Sequence, residues 1–128
     1  MTNLLILVSH SQTITEGLKE LLENMVPDDN NAFSVIAAGG TEDGEIGTSV
    51  SKITEAIFAN TDKEIFIFTD MGSAVLSAET ALDFVEDEVK AHIHLVEGPL
   101  VEGAYVGAVQ STINRTADQI LEAIKEQS

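Results

Sequence analysis

Short continuous apolar runs alternate along this chain with stretches in which apolar residues recur at helical spacing. That alternation is the signature of strands buried on both faces and joined by crossover helices. The runs Leu4 to Val8, Phe33 to Ala38, Glu64 to Phe68 and His92 to Val96 predict strands, each followed at once by polar or glycine-rich residues. Four helices are predicted to fill the gaps. In the first, Ile14, Leu18, Leu21, Leu22 and Met25 share a face, and Pro27 closes it. The second takes Thr48 or Ser49 as its N-cap and buries Val50, Ile53 and Ile57, while the third aligns Val75, Ala78, Leu82 and Val85. The last and longest carries Val106, Val109, Ile113, Ala117, Ile120 and Ile124, with Gly103, Ala104, Gly107 and Ala108 in its opening turns. Those small residues permit a close backbone approach, either to a neighbour within the chain or across a dimer interface.

This order reads as an α/β fold: an open sheet of four parallel strands, order 2-1-3-4, with helices on both faces and room for a fifth strand, antiparallel or exchanged. Ligands in such sheets bind beyond the carboxyl ends of the strands, at the point where the strand order reverses. The segments there are Ser9-His10-Ser11, Gly39-Gly40-Thr41, Asp70-Met71-Gly72-Ser73 and Glu97-Gly98-Pro99.

A length of 128 residues is enough for one core and not for two, so residues 1–128 are read as a single domain. Six basic against twenty-two acidic side chains give a formal net charge of -16, which disfavours nucleic acid and anionic membrane surfaces and favours basic protein partners. With Cys 0 there is neither a disulfide framework nor a thiol nucleophile. The apolar run near the N-terminus is too short for a signal peptide or a membrane span, so a cytoplasmic location is expected.

His10 stands between two hydroxyl residues where the first helix begins, a place whose free backbone N–H groups favour an anion. Its alternatives are a phosphorylated imidazole or a capping, structural histidine. The order 2-1-3-4 brings His10 and Asp70 together at the reversal point. A carboxylate there accepts the imidazole Nδ1–H, fixes the tautomer and leaves Nε2 free to attack. Asp70 has its own alternative as an N-cap of the third helix. Gly39, Gly40, Thr41, Gly72 and Ser73, with Ser9 and Ser11, are the candidates for cradling a phosphoryl group, or else ordinary turn residues.

Gly39 and Gly44 have the spacing of a P-loop, yet Glu45 stands where the lysine must be and Ile46 where the hydroxyl must be, so ATP is not bound in that manner. Glu42, Asp43 and Glu45 lack EF-hand spacing and read as a solvated or partner-facing turn. His92 and His94 share a face of the fourth strand; without a third ligand in register they read as structural. No metal or cofactor is expected.

The segment from Leu5 to Ser11, together with Gly39-Gly40-Thr41-Glu42-Asp43-Gly44-Glu45-Ile46-Gly47-Thr48-Ser49, resembles the mannose-type enzyme IIA domains of the phosphoenolpyruvate-dependent phosphotransferase system. Within that family, Phe68-Thr69-Asp70-Met71-Gly72-Ser73-Ala74 and Val96 to Ala104 are similar to the phosphotransferase subunits of bacterial dihydroxyacetone kinases. Sugar-transporter members usually carry a glycine pair and a proline after the aspartate loop, where Gly72-Ser73-Ala74 stands here. The resemblance implies a phosphotransferase with a phosphohistidine intermediate: the carrier HPr phosphorylates His10 on Nε2, and His10 passes the group to ADP on the nucleotide-binding subunit of the kinase. With the chain ending at Ser128, a separate HPr is the expected donor. The resemblance also implies a homodimer, and Glu42, Asp43, Glu45 and Thr48 become candidate partner-docking residues. The alternative is an enzyme IIA of a mannose-type sugar transporter that passes phosphate to an enzyme IIB. Two unrelated classes share the sheet and are disfavoured by the residues. A flavin binder needs a hydroxyl-rich first loop and aromatic stacking residues, and a receiver domain needs acidic magnesium ligands where Ser9-His10-Ser11 stands.

Overall fold

The structure, a computed structural model, describes residues 2–127. Its strands are β1 (Asn3–Val8), β2 (Phe33–Ala37), β3 (Glu64–Thr69) and β4 (Ile93–Val96). They form one sheet in the order β2-β1-β3-β4, every pair parallel, with Leu5 opposite Val35 on one side and Phe66 on the other. The order and direction are those expected, and the strand ends differ from expectation by a residue.

The helices are α1 (Gln12–Met25), α2 (Val50–Phe58), α3 (Ser73–Leu82), α4 (Asp87–Lys90), α5 (Leu100–Thr112) and α6 (Ala117–Glu126). Alternating β1 residues feed two cores. Leu4, Ile6 and Val8 pack with Ile53 and Ile57 of α2 and the alanines of α3; Leu5 and Leu7 pack with α1, α5 and α6 on the opposite face. Leu4 through Val8 are fully inaccessible, as a central strand covered on both faces must be. Each such side chain contributes about 1.5–3 kcal/mol on burial, so the apolar run itself fixes β1 at the centre of the sheet.

The helices depart from expectation in instructive ways. The long last helix is two helices: Asn114 adopts a left-handed conformation at φ 58, and Thr116 with Gln119 forms a capping box that starts α6. Ile113 consequently lies at the break, 52% exposed. The opening turns of α5 bury Gly103, Ala104, Gly107 and Ala108 rather than Val106 and Val109. A Cβ on Gly107 would come within 3.0 Å of the Phe68 ring, so the small residues admit a β3 aromatic within the chain. In α1 the buried line is Thr15, Leu18 and Leu22, while Ile14, Leu21 and Met25 are exposed. The third helix ends at Leu82; Val85 reaches the core from the following turn, and the short α4 was not foreseen.

Candidate active site

The reversal of strand order lies between β1 and β3, where Val8 pairs with Thr69 and the Asp70 amide donates to the Val8 carbonyl at 3.1 Å. The next residues, Ser9-His10 and Asp70, therefore leave adjacent strands side by side. The Asp70 carboxylate gathers donors from both. Its Oδ2 accepts from the His10 amide at 3.0 Å and the Ser9 hydroxyl at 2.9 Å, and its Oδ1 accepts from the Met71 amide at 2.7 Å. The His10 ring presents Nδ1 to the same carboxylate, 3.1 Å from Oδ1 and 3.2 Å from Oδ2. Burial alone would raise the carboxyl's pKa. The bonds from the His10 amide, the Ser9 hydroxyl, the His10 ring and the Met71 amide outweigh it and hold Asp70 below the ordinary aspartate value.

An ionised carboxylate only accepts, so in the neutral ring Nδ1 carries the proton and Nε2 bears the lone pair. The Ser73 hydroxyl lies 2.6 Å from Nε2 and donates to it. With the His10 side chain 31% exposed and that of Asp70 14%, the ring is reachable from solvent and the carboxylate that holds it is shielded. Asp70 is not a cap: the N-cap of α3 is Gly72, held at φ 46, and no side chain caps it.

The residues expected to cradle a phosphoryl group divide into two sets. Ser9 is fully buried and its hydroxyl holds Asp70 and accepts the Ser11 amide, while Ser11 is the N-cap of α1. The amides of Gly39, Gly40 and Thr41 are also engaged within the fold: Gly39 donates to the Thr15 hydroxyl at 3.1 Å, Gly40 to the Ser9 carbonyl and Thr41 to the Glu45 carbonyl, each at 3.0 Å. The glycines here admit backbone rather than ligand; a Cβ on Gly39 would meet the Ser11 carbonyl at 2.6 Å. Gly72 and Ser73 differ, since their amides donate to no protein acceptor among the described residues and both are exposed, with the Ser73 hydroxyl beside Nε2.

Of the candidate docking residues, Glu42, Asp43 and Glu45 are exposed on a turn closed by Gly44 at φ 82. Thr48 is half-buried and shares a 2.7 Å hydrogen bond with Ser77 of α3, and Ser49 is the N-cap of α2. His92 and His94 lie at the other end of the sheet, each bonded to Glu64.

Three residues that support the site escaped the sequence reading: Thr15, Gln12 and Lys52. Thr15 is a buried polar side chain inside an apolar stripe, visible only once Gly39 is placed against it. Gln12 and Lys52 meet each other across the turn that follows β2. Lys52 carried one local signal, a cation in the first turn of a helix, where the dipole disfavours it. A groove of about 580 Å³ between α1, α5 and α6 holds none of the site residues. His10 instead faces outward, a setting that suits a macromolecular partner better than a small ligand sealed in a cavity.

Comparison with known proteins agrees with this geometry. Residues 4–121 match the EIIA-man family, described as "PTS system fructose IIA component". The chain is 46% identical over 94% of its length, and 94% of the relative's, to the phosphoryl donor subunit DhaM of a PEP-dependent dihydroxyacetone kinase of Listeria innocua. It is 36% identical over 91% of its length to the Escherichia coli subunit of the same description, of which it spans 25%. A crystal structure described as that of a protein of unknown function superimposes with a TM-score of 0.92 at 40% identity, covering 98% of this chain and 95% of that one. With the motif residues placed around His10 and the match spanning most of both chains, the protein belongs to the mannose-type enzyme IIA family of the phosphotransferase system, and the curated relatives it resembles along its length are DhaM subunits.

Proposed function

We propose that this chain is the phosphoryl-donor subunit of a PEP-dependent dihydroxyacetone kinase, a phosphotransferase that works through a phosphohistidine at His10. The observation that carries the reading is the His10 ring itself, clamped through Nδ1 by an ionised Asp70 and offering Nε2 beside Ser73. In the first step the Nε2 lone pair attacks the phosphorus of phospho-HPr; a new P–N bond forms as the donor's P–N bond breaks. The ring then bears positive charge, which the Asp70 carboxylate stabilises through Nδ1–H. Ser73 turns its hydroxyl from Nε2 to a phosphoryl oxygen, and the free amides of Gly72 and Ser73 at the start of α3 face the same group. In the second step a β-phosphate oxygen of ADP, held on the nucleotide-binding subunit, attacks the phosphorus and the P–N bond breaks, returning the neutral ring. The chain's own work is alignment, since both bonds are reactive and the barrier falls when donor and acceptor are held in line.

The DhaM relatives favour the kinase reading over transfer to an enzyme IIB of a sugar transporter. Among the described residues no helix is long and apolar enough to cross a membrane. Incubation with enzyme I, HPr and phosphoenolpyruvate should add one acid-labile phosphoryl group that maps to His10, and a chase with the ADP-loaded nucleotide-binding subunit should convert it to ATP. A label on another residue, or delivery only to an enzyme IIB, overturns the reading.

The exposed Glu42, Asp43 and Glu45 turn is the proposed docking rim, set beside the site by the bond from the Gly47 amide to the His10 carbonyl at 2.8 Å. A chain of formal charge -16 is steered by a basic partner surface. The triple variant Glu42→Gln, Asp43→Asn and Glu45→Gln is expected to lower the second-order transfer rate about 3- to 10-fold at low salt and to flatten its salt dependence. Stopped-flow mixing at low and physiological ionic strength decides; an unchanged rate and slope with both partners removes the rim from the docking surface.

A further inference from the structure

Lys52 is placed against local physics. It lies in the first turn of α2, where the helix dipole opposes a cation, and among the described residues it forms no ion pair in a chain carrying twenty-two acidic side chains. Its ammonium instead donates to the Gly39 carbonyl at 2.8 Å and to Gln12 Oε1 at 3.3 Å. One half-buried cation thus joins α2, the end of β2 and the first turn of α1. Gln12 is the post about which the turn wraps, since a Cβ on Gly40 would stand 3.0 Å from Gln12 Cβ and one on Gly44 3.1 Å from Gln12 Oε1.

The same segment holds the backbone of the nucleophile. Gly40 donates to the Ser9 carbonyl at 3.0 Å and Gly47 to the His10 carbonyl at 2.8 Å, so residues 39–47 grip the end of β1 at two successive peptides. Gly39 and Gly40 are buried, and removal of Lys52 leaves the Gly39 carbonyl without its ammonium donor. We infer that Lys52 is a positioning residue for phosphoryl transfer: through Gly39 and Gln12 it locks the 39–47 segment, and through that segment it sets where the His10 backbone, and hence Nε2, stands. The inference rests on His10 as the phosphoryl acceptor and assigns Lys52 no contact with the phosphoryl group.

The test measures single-turnover labelling of His10 in the parent, Lys52→Met, Lys52→Arg and Gln12→Leu with two donors, phospho-HPr over a range of concentrations and phosphoramidate, a small chemical phosphorylating agent that needs no docking. Lys52→Met is expected to lower the limiting rate about tenfold with both donors, as loss of a supporting contact or a small misplacement of a reacting atom does. The concentration of phospho-HPr giving half the limiting rate should stay the same. Lys52→Arg should recover most of the rate. Gln12→Leu, which leaves the Gly39 contact in place, should lose less, and combining it with Lys52→Met should add little because the two act through one contact. Thermal melting of each variant accompanies the rates. A parental limiting rate in Lys52→Met, a loss confined to half-saturation, a Lys52→Arg variant as slow as Lys52→Met, or rates that follow melting temperature across the set each overturn the inference. If Lys52→Met does not fold, Gln12→Leu against the parent decides by the same limiting rate. Failure of phospho-HPr to label the parent would overturn the proposed function, whereas the phosphoramidate rates would still report on Lys52.

Discussion

The molecule contains the same chemical parts twice, a histidine against a carboxylate, at opposite ends of its sheet. At the carboxyl end Asp70 receives one ring, that of His10, and its remaining acceptor capacity is filled by the Ser9 hydroxyl and backbone amides. At the amino end Glu64 divides its oxygens between two rings, Oε1 to His92 Nδ1 at 3.0 Å and Oε2 to His94 Nε2 at 3.1 Å. His94 also stacks on Phe66, its ring centroid 5.0 Å away. Both carboxylates are held below their ordinary values against the opposing effect of burial, Asp70 by the hydrogen bonds it accepts and Glu64 by those from His92 and His94 together with the charge of the two rings. A lowered carboxyl alone therefore does not distinguish them. The difference is the surroundings of the second ring nitrogen: that of His10 faces the Ser73 hydroxyl at the start of α3, whereas Glu64 and His92 lie at the amino-terminal ends of β3 and β4. An imidazole–carboxylate pair is a site only where the fold supplies something for the other nitrogen to do.

The sharpest way to break this contrast is to exchange the histidines for alanine. His10→Ala is expected to abolish phosphoryl incorporation with the fold intact, while His92→Ala and His94→Ala keep parental labelling; intact-mass measurement after incubation with phospho-HPr reads both. A His10→Ala protein that still gains a phosphoryl group would make the two clusters equivalent. The next effect is that of Asp70→Asn. The amide can still accept from Nδ1–H but brings no charge to the phosphorylated ring, so limiting transfer should fall about 10- to 100-fold, as removal of an orienting partner commonly does. Rapid-quench measurement at saturating phospho-HPr checks it, and a parental rate would reduce Asp70 to a structural group.

Smallest is the effect at the other end. Glu64→Gln should leave transfer unchanged and cost at most about 1 kcal/mol at neutral pH, as partly exposed ion pairs do. Its signature is the pH profile. A carboxylate held below its unfolded value stabilises the fold above that value, and the stabilisation is lost as pH falls through the folded one. The parent should therefore lose stability on acidification more steeply than Glu64→Gln, the gap closing at the acid end; thermal melts across the acid range show it. Parallel profiles would mean that Glu64 gains nothing from its two rings when folded.

Much of this contrast could be read in the chain before folding. The apolar run Leu4 to Val8 identifies the central strand, because only a strand covered on both faces has no polar alternation, and the strand order places His10 beside Asp70. His92 and His94 were separable from His10 because they fall at the wrong end of a strand. The capping box at Thr116 and Gln119 was equally present in the sequence but hidden under a continuous apolar period that runs across the break.

The chain by itself determined which segments are strands and which histidine and carboxylate meet at the carboxyl end of the sheet, since these follow from local periodicity and topology. Tertiary structure alone decided which donors remain free. The amides of Gly39 and Gly40 are taken by Thr15 and Ser9, those of Gly72 and Ser73 find no acceptor among the described residues, and the α5 face that is buried is set by where the Phe68 ring of another element lies. A hydrogen-bond donor or a helix face is satisfied by whatever partner folding brings to it, and those partners come from distant parts of the chain that no local pattern encodes.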